Sequence, residues 1–258
     1  MNITVLDLAK MIDHSLLHPT MTDEILSREC AVAKRYDVAS VCIKPYAVKM
    51  AAERLAGTAV KVCSVTGFPH GNSTTEVKVI EARKACKEGA TEIDMVINIG
   101  KALGGQWSYV EDEIQAVNEA SISGGAILKV IFENDYLEDD AIKRLCHICN
   151  RVNVAFVKTS TGYGFVKRDN GMYSYKGATT SHLRLMRKET DDHIEVKAAG
   201  GVRTLKDLLY VRSLGVTRIG ATTTTVMLDE AQLRIDRGEN LADLATQAAG
   251  CGSKGRSS

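Results

Sequence analysis

The sequence predicts a closed (β/α)8 barrel of the α/β class, with one extra helix at the N-terminus, spanning residues 1–249 as a single domain. Three observations carry that expectation. Eight short apolar, β-branched runs recur at a spacing of roughly 30 residues, each followed by a helical pattern, and 258 residues is a length such barrels commonly have. The runs are apolar on both faces, as parallel strands covered by helices must be. No linker-like composition splits the chain into two folded halves.

Taken in order, residues 1–10 carry leucines and an isoleucine at helical spacing, the extra helix across the barrel floor. The eight strands are expected at Ile12–Leu16, Ser40–Ile43, Val60–Val65, Glu92–Ile97, Ile127–Ile131, Ala155–Thr159, Ile194–Ala198 and Thr217–Ala221. Ser73 with Glu76, and Ser108 with Glu111, fit capping boxes at helix starts, while Gly57, Gly89 and Gly215 stand where helices should end. Between Gly162 and Gly177 runs a long polar and aromatic stretch, expected as a lid or substrate loop. Residues 250–258, GCGSKGRSS, are expected to form a disordered tail.

A net charge of +1 gives no bulk field for nucleic acid or an anionic membrane, so neither is expected as a partner and any anion affinity must be local. No apolar stretch approaches the roughly 18 residues of a membrane span, and the first ten residues lack the features of a signal peptide. A cytoplasmic location follows as the expectation. The seven cysteines have no disulfide-framework spacing and are read as reduced, mostly buried thiols. The one close pair, Cys146 and Cys149, sits inside a predicted helix and is read as structural. His14, His18 and His70 form no HxH or HExxH pattern, so core or loop hydrogen bonding is expected of them and no metal or other cofactor is implied.

Five charged residues interrupt the apolar strands: Asp13, Asp94, Lys129, Lys158 and Lys197. A charge in such a run costs several kcal/mol unless it is paired or neutralised, so a group of five points to a shared interior site. Barrel active sites gather residues from the C-terminal ends of several strands, and Lys158 and Lys197 lie near the ends of consecutive strands. A second cation beside an amine disfavours its protonated form, so Lys197 would leave part of Lys158 neutral and able to attack a carbonyl. Asp94, with Lys129, is the available acid/base for the proton at the adjacent carbon, and Thr159 is a supporting position next to the nucleophile. After the seventh and eighth strands come Gly200–Gly201 and Gly220 with Thr222 and Thr223, where backbone amides and hydroxyls can cradle a phosphate.

The stretches IDHSLL, SVCIKPYAV, VCSVTGFPHGNSTTEVK, GATEIDMVINIG, LKVIFE, FVKTSTG, VKAAGGVRT and RIGATTT, in that order from 12 to 224, together resemble the deoxyribose-phosphate aldolase family of class I aldolases. The resemblance implies reversible cleavage of 2-deoxy-D-ribose 5-phosphate to acetaldehyde and D-glyceraldehyde 3-phosphate through a lysine Schiff base. It implies Lys158 as the Schiff-base lysine, Lys197 as its tuning partner and Asp94 as the proton relay. It adds Gly162 to the phosphate site and gives Asp13 a substrate hydroxyl. A small phosphorylated sugar and aldehydes are then the partners; barrels of this sort often pair, so a homodimer or higher homo-oligomer is an expectation of the fold and not of the sequence. The segment Tyr163 to Lys176 is longer than is usual in the family, and this leaves a related lysine aldolase acting on another sugar as the alternative; a catalytically silent sugar-phosphate sensor would have lost Lys158, Asp94 or Lys197.

Overall fold

In the computed structural model, which describes residues 2–244, eight parallel strands close into a barrel. The barrel strands are β1 (Ile12–Leu16), β2 (Ser40–Ile43), β3 (Lys61–Thr66), β4 (Glu92–Val96), β5 (Ile127–Ile131), β6 (Phe156–Lys158), β9 (Glu195–Ala199) and β10 (Arg218–Ala221). β10 pairs with β1 through Ile12 opposite Ile219, which shuts the ring. Three of the expected strands have the observed bounds, and the other five differ by one residue at one or both ends. The expected tail, 250–258, lies outside the described residues.

Helices cover the strands: α2 (Asp23–Tyr36), α3 (Val48–Arg54), α4 (Thr75–Lys87), α5 (Ile99–Leu103), α6 (Trp107–Ser123), α7 (Asp139–Val152), α8 (Thr180–Glu189), α9 (Leu205–Ser213) and α10 (Thr224–Asp236). α1 (Val5–Ala9) is the extra helix, and it buries Leu8 and Ala9 at the N-terminal end of the barrel. Gly89 and Gly215 each follow the C-cap residue of their helix, and Gly57 lies three residues beyond α3, all with positive φ. Both expected capping boxes are corrected. Thr74, not Ser73, caps α4 by accepting from the Val77 amide. Ser108 lies inside α6, because the turn after α5 starts the helix at Trp107, and Glu111 instead holds Arg151 of α7 with two hydrogen bonds of 2.8 and 2.7 Å. True capping boxes stand at Thr4 with Asp7 and Thr204 with Asp207.

The segment after Gly162 also differs from a plain loop. It folds into a β-hairpin, β7 (Val166–Lys167) paired antiparallel with β8 (Tyr173–Ser174). The turn is closed by Gly171, at φ 78°, whose amide donates to Arg168 O. The Asp-Asn-Gly sequence at 169–171 is the local signal for it. Cys146 and Cys149 are buried on the core face of α7, and burial pushes the Cys146 thiol up to about 12, far from a reactive range.

One buried ion pair braces the mouth of the barrel. Lys78 of α4 is fully buried, and its Nζ donates to Gly71 O, Val96 O and Glu113 Oε1 at 2.8, 2.8 and 2.7 Å. Glu113 of α6 also accepts from the Asn98 amide, so the pair ties the ends of β3 and β4 together. Burial pushes Lys78 down and Glu113 up, each towards its neutral form, against the pull of the partner. Lys78→Met should therefore cost about 3–5 kcal/mol in urea unfolding, because Glu113 stays buried without its cation. Adding Glu113→Leu should recover most of that loss, and a double variant no more stable than the single would contradict this account.

Candidate active site

Strand period 2 puts alternate residues on the barrel interior, and the in-register pairs Asp94 with Lys129 and Lys158 with Lys197 bring four of the five charges into one layer system. Asp94 is the hub. Its Oδ2 accepts from Lys158 Nζ and Lys197 Nζ, each at 2.7 Å, and its Oδ1 accepts from Lys129 Nζ at 2.8 Å. All four side chains are 0–3% exposed.

The network continues down the barrel axis. Asp13 accepts from Lys197 and from Lys129 at 3.2 Å on one oxygen, and from Ser40 Oγ and Arg218 Nη1, each at 2.6 Å, on the other. Glu92 joins Lys129 at 2.6 Å and Arg218 at 3.1 Å. Asp13 thus has both oxygens engaged within the network, and the cleft above the network is lined by other residues. Thr159 is buried but bonds the neighbouring strand's backbone: its hydroxyl donates to Ala199 O at 3.1 Å and accepts from the Ala199 amide at 3.0 Å, continuing the β6–β9 ladder past Lys158.

The electrostatics follow from this packing. Burial by itself would push Asp94 up, but Lys129, Lys158 and Lys197 outweigh it and hold the carboxyl well below its usual range. Burial opposes Asp13 in the same way, and Lys129, Lys197 and Arg218 keep it ionised. For Lys197 burial favours the neutral amine, yet Asp13 and Asp94 together raise its proton affinity above the ordinary value of 10.5. Lys129 is raised likewise, with Asp13 and Asp94 overcoming its burial. Lys197 is therefore a fixed cation in the layer that also holds Lys158. Cys42, Cys63 and Asp94 bring ligand atoms within 4.8 Å of one another. With three ammonium groups already on Asp94, that trio is a poor place for a metal cation.

Above the network opens a cleft of about 230 Å³ lined by Lys158 and Lys197 and, around its rim, by Gly162, Gly200, Gly201, Gly220 and Thr222. Gly162, Gly200 and Gly201 have φ of 86°, 81° and 92°, a region that favours glycine and leaves their amides uncovered by any Cβ. Thr223 is the N-cap of α10 and stands off the wall; its hydroxyl donates to Arg203 O at 2.8 Å and so ties together the turns that follow β9 and β10. His14 is buried and hydrogen-bonded to Thr224 Oγ1 at 2.7 Å and Glu29 at 3.1 Å, a core role that docks β1 to the start of α10. His18 lines the cleft.

Several residues here had no place in the sequence reading. Glu92 stands two positions before Asp94 on one strand, so period 2 alone assigns it to the interior. Arg218 and Arg203 lack such a signal, and Tyr163 and Tyr175 reach the cleft from the stretch that the hairpin organises.

Residues 8–222 match the family model described as DeoC/LacD family aldolase. The chain is 49% identical to a deoxyribose-phosphate aldolase of Rhodopirellula baltica over 89% of this chain and 91% of that one. It is 43% identical to one of Treponema denticola over 84% and 96%. A solved tetrameric deoxyribose phosphate aldolase from Aeropyrum pernix superposes with a TM-score of 0.79 at 28% identity, covering 89% of this chain and 92% of that one. A lysine at the mouth of a barrel, a carboxylate shared among three ammonium groups and a rim of open amides are thus found in a chain that belongs to the DeoC/LacD aldolase family, and it is an aldolase.

Proposed function

We propose that this aldolase reversibly cleaves 2-deoxy-D-ribose 5-phosphate to acetaldehyde and D-glyceraldehyde 3-phosphate, with Lys158 as the Schiff-base nucleophile. The observation that carries the reading is the position of Lys158. It is the lysine at the open end of a buried network, hydrogen-bonded to Asp94 and lining the cleft beside the anion turns.

The network holds four cationic side chains, Lys129, Lys158, Lys197 and Arg218, against the three carboxylates Asp13, Asp94 and Glu92. The amine that attacks is the one at the mouth. Its neutral amine adds to the C1 aldehyde of the open-chain sugar, and loss of water leaves the iminium. Asp94, held ionised and in contact with Lys158, serves as the base that draws the proton from the C3 hydroxyl, directly or through one water, as the C2–C3 bond breaks. Glyceraldehyde 3-phosphate leaves, the enamine takes a proton at C2, and hydrolysis of the resulting iminium releases acetaldehyde and restores Lys158. Lys197 stays protonated throughout, holding Asp94. Asp13 and Lys129 hold Lys197 and Asp94 from below.

The phosphate end falls on Gly162, Gly200, Gly201, Gly220 and Thr222, with Thr223 and the start of α10 behind them and Arg203 beside them. Cleavage of deoxyribose 5-phosphate is therefore expected to exceed cleavage of unphosphorylated deoxyribose by at least about 100-fold in kcat/KM, the order of magnitude that a charge-assisted anion site supplies. Equal kcat/KM on the two sugars would overturn the phosphate assignment. The fit to Aeropyrum pernix aldolase, described as tetrameric, makes a homo-oligomer the assembly to test by light scattering.

A further inference from the structure

The turn after β5 grips the hairpin segment at both of its roots. Glu133 accepts from the amide and hydroxyl of Thr161, and Tyr136 Oη accepts from the Phe165 amide at 2.8 Å. On the other side, the Asp135 carboxylate accepts from the Lys176 amide at 2.6 Å and from the Gly177 amide at 2.8 Å. Neither root amide has a barrel strand to pair with, so these side chains supply the hydrogen bonds a ladder would.

The Asp135 contact reaches the site in one further step. Gly177 has φ 71° and presses its backbone on Gly200: a Cβ at Gly177 would come within 2.6 Å of Gly200 O. The Ala178 amide donates to the same Gly200 O at 3.0 Å. Tyr175, which lines the cleft, rests its ring edge 3.4 Å from where a Gly200 Cβ would stand. The chain of contact is therefore Asp135 to Gly177 to Gly200, with Tyr175 carried on the same root.

We propose that Asp135 is a positioning residue that seats the Gly200–Gly201 turn and Tyr175, and thereby sets the preference for a phosphorylated sugar. This rests on the phosphate reading above. Asp135 itself touches neither Lys158 nor Asp94, so the Schiff-base step has no need of it. Truncating Asp135 frees two backbone amides, lets Gly177 lift from Gly200 and displaces the amides that the anion turn presents. The loss falls on the end of the substrate that the turn holds.

The test is steady-state kinetics of wild type, Asp135→Ala and the isosteric Asp135→Asn on deoxyribose 5-phosphate and on deoxyribose. For Asp135→Ala, KM for the phosphorylated sugar should rise about tenfold with kcat within about twofold, while kcat/KM on deoxyribose stays within about twofold. Asp135→Asn retains one carbonyl acceptor and should show a smaller rise in the same direction, which keeps the question decidable if the alanine variant fails to fold. An equal loss on both sugars, or no change on either, overturns the inference. A wild-type enzyme without phosphate preference overturns the phosphate reading and the inference with it, whereas a wild-type preference that both variants retain overturns the inference alone.

Discussion

Lys158→Ala should lower kcat/KM by at least about 10⁴-fold while the protein still folds, because it removes the nucleophile and the amine that remains at the cleft, Lys197, is held by Asp13 and Asp94. Asp94 keeps Lys129 and Lys197 as partners, so no carboxylate is stranded in the core by the change. The direct reading is chemical. Acetaldehyde followed by borohydride should fix an ethyl group on Lys158 of the wild-type protein, located by peptide mapping, and the variant should take up none at the site. Labelling at another lysine, or full activity in the variant, would remove Lys158 from the mechanism. Lys197 is the natural rival, since it also lines the cleft. It is engaged by both Asp13 and Asp94 and has its proton affinity raised by them, which makes it the poorer nucleophile.

Lys197→Leu should cost about 10²–10³-fold in kcat/KM and move the pH optimum upward, the scale of losing one preorganised charge beside a reacting group. The sign follows from the neighbourhood. An amine that loses an adjacent cation holds its proton more tightly, so a higher pH is needed to free it. An unchanged pH–rate profile would show that Lys197 does not tune the nucleophile. The fold should persist, because Asp13 retains Lys129, Ser40 and Arg218. Stability carries its own signature. A lysine whose folded-state proton affinity is raised stabilises the fold fully below its unfolded value near 10.5 and loses that contribution as pH rises through the folded value. The urea midpoint of Lys197→Leu should therefore depend less on pH above about 10.5 than that of the wild type.

Lys158, Lys197 and Asp94 were legible because each breaks an apolar strand, and an unpaired charge there is costly enough to need a reason. Glu92 was legible in principle from its spacing to Asp94 but begins a strand, where a charge also fits solvent. Arg218 was not legible: its partners Asp13 and Glu92 lie 205 and 126 residues away, and only closure of the barrel through β1 and β10 brings them together. The Lys78–Glu113 pair was hidden for a related reason, since a lysine on a helix ordinarily reaches water and here the ends of β3 and β4 close over it.

The sequence by itself determined the barrel, the order of its strands and the identity of the charged residues inside it, because strand periodicity and apolar runs are local properties that survive without tertiary contacts. The tertiary structure decided who pairs with whom. It placed Asp13 beneath the site, turned Thr159 into a ladder contact and folded the stretch after Gly162 into a hairpin rooted on Asp135. Those outcomes depend on registers and loop packing between segments distant along the chain, which no local pattern encodes.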